Sequence, residues 1–321
     1  MTNWLDLINQ SKTVALFSHL NSDGDANGSV MAMKHWLDDL GKETYVFVPT
    51  PINLSYCFNG VDKFSCTKYA DSYDLAIGLD APNTKRFGQC EKEFFKAKKS
   101  ICFDHHLDNQ NYANITIVDT DISSTCELLF KEFEQKQIKI SKDVATNLYL
   151  GIATDTGGFM RSSHGQVNAD TWRAVTKLIE YGADTERVNT EIFMTMRKPV
   201  FEIYRKGLDR VEFFENGRIA MVCISKKTLN DTGADISDTH RLNDTVLGID
   251  GVEIMALMTQ SSYAEQFVSV RSKGSRSARN ICSYFGGGGH LRAAGCRIYV
   301  PFAEAKKQLL EQCIVELNRN E

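Results

Sequence analysis

The chain lacks any run of apolar residues approaching the ~20 needed to span a bilayer. Its opening stretch, MTNWLDLINQ, is amphipathic and acidic, where a signal peptide would be basic and then apolar. Both absences argue against a membrane partner. Positive charge is not in excess either. Lys and Arg number 37 against 41 Asp and Glu, for a net charge of −4. That excludes a broad electrostatic surface for long DNA or RNA, while leaving room for a small basic pocket. The nine cysteines are odd in number and contain no CxxC pair, so they read as free thiols in a reducing cytoplasm. No Ser/His/Asp or Cys/His arrangement offers a side-chain nucleophile. There is no internal repeat, low-complexity tract or Gly/Ser linker. What remains, 321 residues with 42% hydrophobic and 24% charged, is an ordinary globular composition of about two domains that needs no staples.

Short apolar runs alternate with helical stretches along the first half. Val14–Ser18, Thr44–Val48, Tyr73–Leu79, Ser100–Phe103 and Asn114–Val118 read as strands. Helices are expected from about Gly28 to Leu40, Ser123 to Gln135, Lys142 to Ala153 and Asn168 to Tyr181, the last closed by Gly182. This alternation predicts an α/β fold with a mostly parallel sheet flanked by helices. From about Asp184 to Arg210 the chain reads as a helical connector with little chemistry. Beyond it, Arg218–Ile224, Val252–Met258, Gln266–Val270 and Cys296–Val300 are strand-like. Helices at about Thr239–Leu247 and Arg276–Phe285, and one ending the chain, complete a second, smaller α/β domain.

Four acidic and histidine-bearing segments stand out: His19-x-x-x-Asp23-Gly-Asp25, Gly78–Leu–Asp80, Asp104–His105–His106 and Thr154–Asp155–Thr156. Three directly follow a strand, and in an open α/β sheet the residues past the strand ends converge in one crevice. Carboxylates and imidazoles suit Mn²⁺ or Mg²⁺. Gathering so many carboxylates is cheap only with divalent cations among them. In an extended loop, Asp23 and Asp25 point to opposite sides and so to two different ions. Asp80, at a strand end, is placed to bridge two cations about 3.5–4 Å apart. Adjacent His105 and His106 can divide their work between a metal and a substrate oxygen. Asp155, at a helix C-terminus, is disfavoured by the dipole unless a cation compensates.

A second signal is Gly286–Gly287–Gly288–Gly289–His290. Four glycines carry a large chain-entropy cost, usually offset by close backbone approach to a ligand, with N–H groups cradling an anion. With Arg271 and Lys273 upstream, they read as a compact phosphate pocket.

In this order, the motifs resemble the DHH/DHHA1 phosphoesterase family, closest to its stand-alone nanoRNase and pAp phosphatase branch. The resemblance covers nearly the whole chain. It implies a DHH catalytic domain over 1–192, a helical connector over 193–216 and a DHHA1 substrate-binding domain over 217–321, with the active site in the cleft between domains. It further implies two Mn²⁺ ions, with Mg²⁺ or Co²⁺ as substitutes. By motif position, His19, Asp23 and Asp80 hold one ion, and Asp25, Asp80, His105 and Asp155 hold the other. His106 faces the scissile phosphate and Asp104 orients a ligand histidine. Arg271 and the glycine loop with His290 grip the far phosphate and terminal nucleotide. Ser22 stands where the family has proline. The run Phe159–His164 departs from the common Phe–Arg–Tyr–Ser–Asn pattern, so the resemblance assigns no role to Arg161 or His164.

The implied activity is metal-assisted hydrolysis of very short RNA and linear dinucleotides such as pApA or pGpG to mononucleotides, and of pAp to AMP. The small domain acts as a ruler. Without a sensor domain or nuclease extension, the membrane-bound cyclic-dinucleotide enzymes and long processive exonucleases are disfavoured. An inorganic pyrophosphatase or short polyphosphatase, a cyclic-dinucleotide phosphodiesterase and a silent nucleotide-binding protein stay open as alternatives. The resemblance also admits a homodimer.

Overall fold

A computed structural model describes residues 3–50, 52, 56–160 and 167–319. Arg161 and His164 lie outside the described residues. The chain divides into two compact units, Met1–Thr195 and Met196–Glu321.

In the first unit, strands β1 (Thr13–Phe17), β2 (Glu43–Phe47), β3 (Tyr73–Leu79), β4 (Ala97–Asp104) and β5 (Ile115–Val118) form one sheet in the order β2-β1-β3-β4-β5. Every pairing is parallel. The strands read as apolar runs because both faces are covered. Val14 and Leu16 enter one core with Leu75, Ile77 and Phe103, while Ala15 and Phe17 enter another with Tyr45, Phe47 and Phe87. The strand order reverses between β1 and β3, which makes their carboxyl ends the switch point where such sheets bind ligands.

The helix after β1 runs Gly24–Asp39, four residues earlier than the turn-rich sequence predicts. Asp23 is its N-cap, with Oδ1 accepting from the N–H groups of Asp25 and Ala26. Asp25 is therefore in the first turn of a helix and not in the extended loop that the sequence suggests. Gly28 is inside the helix, not at its opening. A Cβ there would sit 2.5 Å from the carbonyl oxygen of Asn147 in helix Lys142–Asp155, and one on Gly151 would sit 2.5 Å from Asp25 Oδ1. The paired glycines let these helix backbones touch, which brings Asp25 beside Asp155. Among the described residues, no helix is long and apolar enough to cross a membrane.

In the second unit, β6 (Val211–Phe214), β7 (Ile219–Ile224), β8 (Ile254–Gln260), β9 (Gln266–Ser272), β10 (Gly288–Gly289) and β11 (Ala293–Ile298) order as β10-β11-β9-β8-β7-β6. Only β7–β8 is parallel. The segment expected as a continuous helical connector is broken. Thr185–Asn189 and a π turn over Thr190–Met194 end the first unit, and helix Lys198–Leu208 places Ile203 in a core of the second.

Candidate active site

Asp80 follows β3 with φ +56, a left-handed conformation that asparagine and aspartate tolerate better than other side chains. Its N–H donates to the Phe103 carbonyl at 3.0 Å, pinning the turn to β4. The carboxylate is thereby held with its oxygens facing different neighbours. Oδ2 lies 3.3 Å from His19 Nε2, and Oδ1 lies 3.6 Å from His105 Nε2. Thr125 Oγ1 donates to Oδ1 at 3.0 Å.

Around Asp80 the four motifs converge. His19 Nε2 is 3.8 Å from Asp23, and His105 Nε2 is 3.5 Å from Asp155 and 4.0 Å from Asp25. Asp25 sits on the N-terminus of helix Thr125–Gln135 and accepts from the N–H groups of Thr125 at 2.7 Å and Cys126 at 2.9 Å. A helix N-terminus is the natural seat of an anion. The His19 ring is oriented by its neighbour's backbone, with Nδ1 2.9 Å from the Leu20 carbonyl. Nδ1 therefore carries a hydrogen, and Nε2 is the ring nitrogen that faces the carboxylates. Asp104, fully buried, accepts from His106 Nδ1 at 2.7 Å and from Asn109 Nδ2 at 2.7 Å. The histidine that Asp104 orients is thus His106, not His105.

Charge and burial oppose each other here. Burial, with Asp80 and Asp23 nearby, pushes Asp25 well above the usual carboxylate range; burial, Asp25, Asp23 and Asp80 do the same to Asp155. Against burial, the His19 hydrogen bond and the charges of His106, His19 and His105 hold Asp80 below that range. Burial lowers His105, favouring the neutral ligand form. His106 is also penalised by burial, yet the Asp104 hydrogen bond and the charge of Asp80 raise it to about 9, so it is an imidazolium at neutral pH. His19 rises well above its ordinary value because Asp23 and Asp80 outweigh burial.

The donor set fits divalent cations. His19, Asp23 and Asp80 form one group, Asp25, His105 and Asp155 a second, and Asp80, His105 and His106 a third. Within each group the candidate ligand atoms lie within 4.8 Å of one another, a spread that one ion spans with bonds of about 2–2.5 Å. Asp80 and His105 are shared between groups.

These geometries carry a pH prediction. Asp25, Asp155, His19 and His106 all have raised folded pKa values, so the folded chain holds more protons than the unfolded one above the unfolded values, and His106, at about 9, extends this through neutral pH. Stability from these groups is present at low pH and is lost as pH rises through the folded values. The depressed Asp23 and Asp80 act only well below pH 5. A divalent cation held by these groups would displace the protons. The rise in Tm on adding Mn²⁺ to EDTA-treated protein is therefore expected to be larger at pH 8 than at pH 6, reaching about 5–10 °C at 100-fold excess over Kd. Differential scanning fluorimetry checks this, and an equal or smaller rise at pH 8 contradicts it.

In the second unit, β10 and β11 form a hairpin that pairs Gly288 with Gly295 and Gly289 with Ala294, and the His290 N–H donates to the Ala293 carbonyl at 2.8 Å. Arg271 lies opposite Ala293 on β9, at the same end of the sheet, and its Nη1 donates to Ser269 Oγ at 3.1 Å. Gly287 and Gly289 answer to their own chain. A Cβ would lie 2.3 Å from the Gly295 carbonyl and 2.6 Å from the Ala293 carbonyl, respectively, whereas Gly288 is open. Gly286, at φ +74, has nothing within 4 Å of a Cβ either, so the run divides into two open glycines, Gly286 and Gly288, and two packed against their own chain. Lys273 follows β9, its N–H donating to the Glu253 carbonyl.

Sequence reasoning missed Thr125, Asn109 and Arg86. Arg86 Nη2 lies 3.4 Å from His19 Nδ1. The Ser123–Ser124–Thr125 run ahead of Glu127 does mark a helix start, but not the carboxylates it faces.

Residues 13–152 match the DHH family, N-terminal domain, and residues 218–316 match the DHHA1 domain. The chain belongs to the DHH family, whose members hydrolyse phosphoester bonds, and carries a DHHA1 domain behind the first. Among similar proteins, the bifunctional oligoribonuclease and PAP phosphatase NrnA of Thermus thermophilus is 25% identical, over 95% of this chain and 90% of its own. The protein of the same description from Bacillus subtilis is 26% identical over 93% of each. An exopolyphosphatase-related protein from Bacteroides fragilis has a similar fold, with a TM-score of 0.89 at 24% identity, covering 97% of this chain and 94% of that one.

Proposed function

We propose that this chain is a Mn²⁺-dependent phosphoesterase that hydrolyses very short oligoribonucleotides, including pApA and pGpG, to mononucleotides, and pAp to AMP. The observation that carries the reading is Asp80, whose two oxygens face separate donor groups. In this reading His19, Asp23 and Asp80 hold one ion, and Asp25, Asp80, His105 and Asp155 the other. Bound there, divalent cations would activate water as the nucleophile at neutral pH and would neutralise charge on the phosphoryl oxygens. His106, cationic at neutral pH, stabilises charge developing on the phosphate, while Asp104 and Asn109 keep its ring in place. Arg271, Lys273, Gly287, Gly288, Gly289 and His290 bind the substrate's terminal phosphate and nucleotide. Relatives named for oligoribonuclease and PAP phosphatase activity favour a nucleotide over pyrophosphate.

The test is a turnover panel with and without EDTA: pAp, pApA, pGpG, RNAs of increasing length, cyclic di-AMP and pyrophosphate. Fast Mn²⁺-dependent cleavage of dinucleotides, falling with RNA length, is the expected result. Activity on pyrophosphate alone, or on the cyclic dinucleotide alone, overturns the assignment. Within this reading, His290→Ala is expected to raise the KM for pApA by about tenfold or more, with Mn²⁺ affinity unchanged. Steady-state kinetics with a parallel Mn²⁺ titration separates the two effects, and a change confined to metal affinity refutes the role.

A further inference from the structure

The segment between β3 and β4 contributes a cation that the metal motifs do not require. Arg86 is on the 3₁₀ stretch Thr84–Cys90, and its backbone is fixed on several sides. Its carbonyl accepts from Leu20 N–H at 2.6 Å, and its own N–H donates to the Asn83 carbonyl at 3.2 Å. The next residue, Phe87, is fully buried, with its ring centroid 5.3 Å from Phe17 and 5.1 Å from Phe94. Leu20 follows His19 directly, so the Leu20–Arg86 hydrogen bond ties this segment to the first metal motif.

The head group is placed by this anchor, but not neutralised by it. Arg86 is exposed, and its Nη2 lies 3.4 Å from His19 Nδ1. That nitrogen already directs its hydrogen to the Leu20 carbonyl, so it has no lone pair to accept from a guanidinium. Among the described residues Arg86 makes no ion pair, although Asp23, also on the open rim with 47% of its side chain exposed, belongs to the same group as His19. An arginine that approaches an acidic cluster without joining it keeps its planar fork for an anion from elsewhere.

We infer that Arg86 binds a non-bridging oxygen of the phosphate undergoing hydrolysis, on the His19–Asp23 side of the site. This rests on the proposed phosphoesterase function. The guanidinium completes a set in which His106 and Arg86 approach the phosphate as cationic donors from different segments. It stays charged at every working pH, so its contribution does not titrate.

The test compares Arg86→Ala and Arg86→Lys with wild type on pApA and on bis(p-nitrophenyl) phosphate, which has one phosphate and no distal group to grip. Loss of the side chain is expected to lower kcat/KM by about 10- to 100-fold on both substrates. Lysine should restore part of the loss, since it returns the charge without the fork. The Mn²⁺-induced Tm rise should be unchanged in both variants, and the pH–rate profile should keep its shape. A fall on pApA alone would move Arg86 to the distal phosphate and overturn the inference. Wild-type kinetics in Arg86→Ala, or a loss fully recovered by excess Mn²⁺, also overturns it. A wild-type protein inactive on both substrates instead counts against the phosphoesterase function itself.

Discussion

Asp80→Asn is expected to reduce turnover of every phosphoester substrate by about 10³-fold or more, because in the proposed site this one side chain would serve both ions. Asparagine is the informative replacement. It keeps the shape, tolerates the φ of +56 found at this position and can still accept from Thr125 Oγ1. It loses the charge that His19, His105 and His106 surround, and an amide N–H₂ replaces the oxygen that faces His19. The variant should therefore fold, with far-UV circular dichroism and an EDTA-state Tm close to wild type, yet show no Tm rise with Mn²⁺. Activity within tenfold of wild type would mean that Asp80 does not join the two groups.

Gly28→Val should have the largest effect on stability, about 3 kcal/mol or more. The helix that starts at Asp23 crosses helix Lys142–Asp155 with backbone against backbone, and a Cβ at Gly28 would lie 2.5 Å from the Asn147 carbonyl and 3.1 Å from the Gly151 nitrogen. Neither atom can rotate away as a side chain could, so the helices must separate. Separation moves Asp25 from Asp155, and Mn²⁺ affinity should fall with stability. A urea melt gives the first effect from the shift in midpoint, and a Mn²⁺ titration gives the second. Wild-type values for both would show that the site does not depend on this close crossing.

Those two residues also mark what the sequence could and could not disclose. β1, β3 and the buried end of β4 were readable because strands covered on both faces are continuous apolar runs. β6 was not. Val211–Phe214 is a short, largely exposed edge strand without alternation. The start of the Gly24–Asp39 helix was misplaced because Asp–Gly–Asp–Ala–Asn–Gly reads as a turn. Asp23 capping and the close approach of Gly24 to Thr154, the first residue of the motif around Asp155, override that propensity. The candidate metal donors were legible as motifs because each follows a strand or ends a helix. Arg86 and Thr125 were not, since they reach His19 and Asp80 across 67 and 45 residues of sequence. In the glycine run, composition alone could not separate the open positions, Gly286 and Gly288, from the β10–β11 hairpin's own need for Gly287 and Gly289.

Whether one carboxylate joins two cation sites is decided by anomalous scattering from crystals of the protein grown with Mn²⁺. Two peaks are expected that share Asp80 as a ligand, one with His19 and Asp23, the other with Asp25, His105 and Asp155. A single peak, or two peaks of which only one touches Asp80, would contradict that sharing.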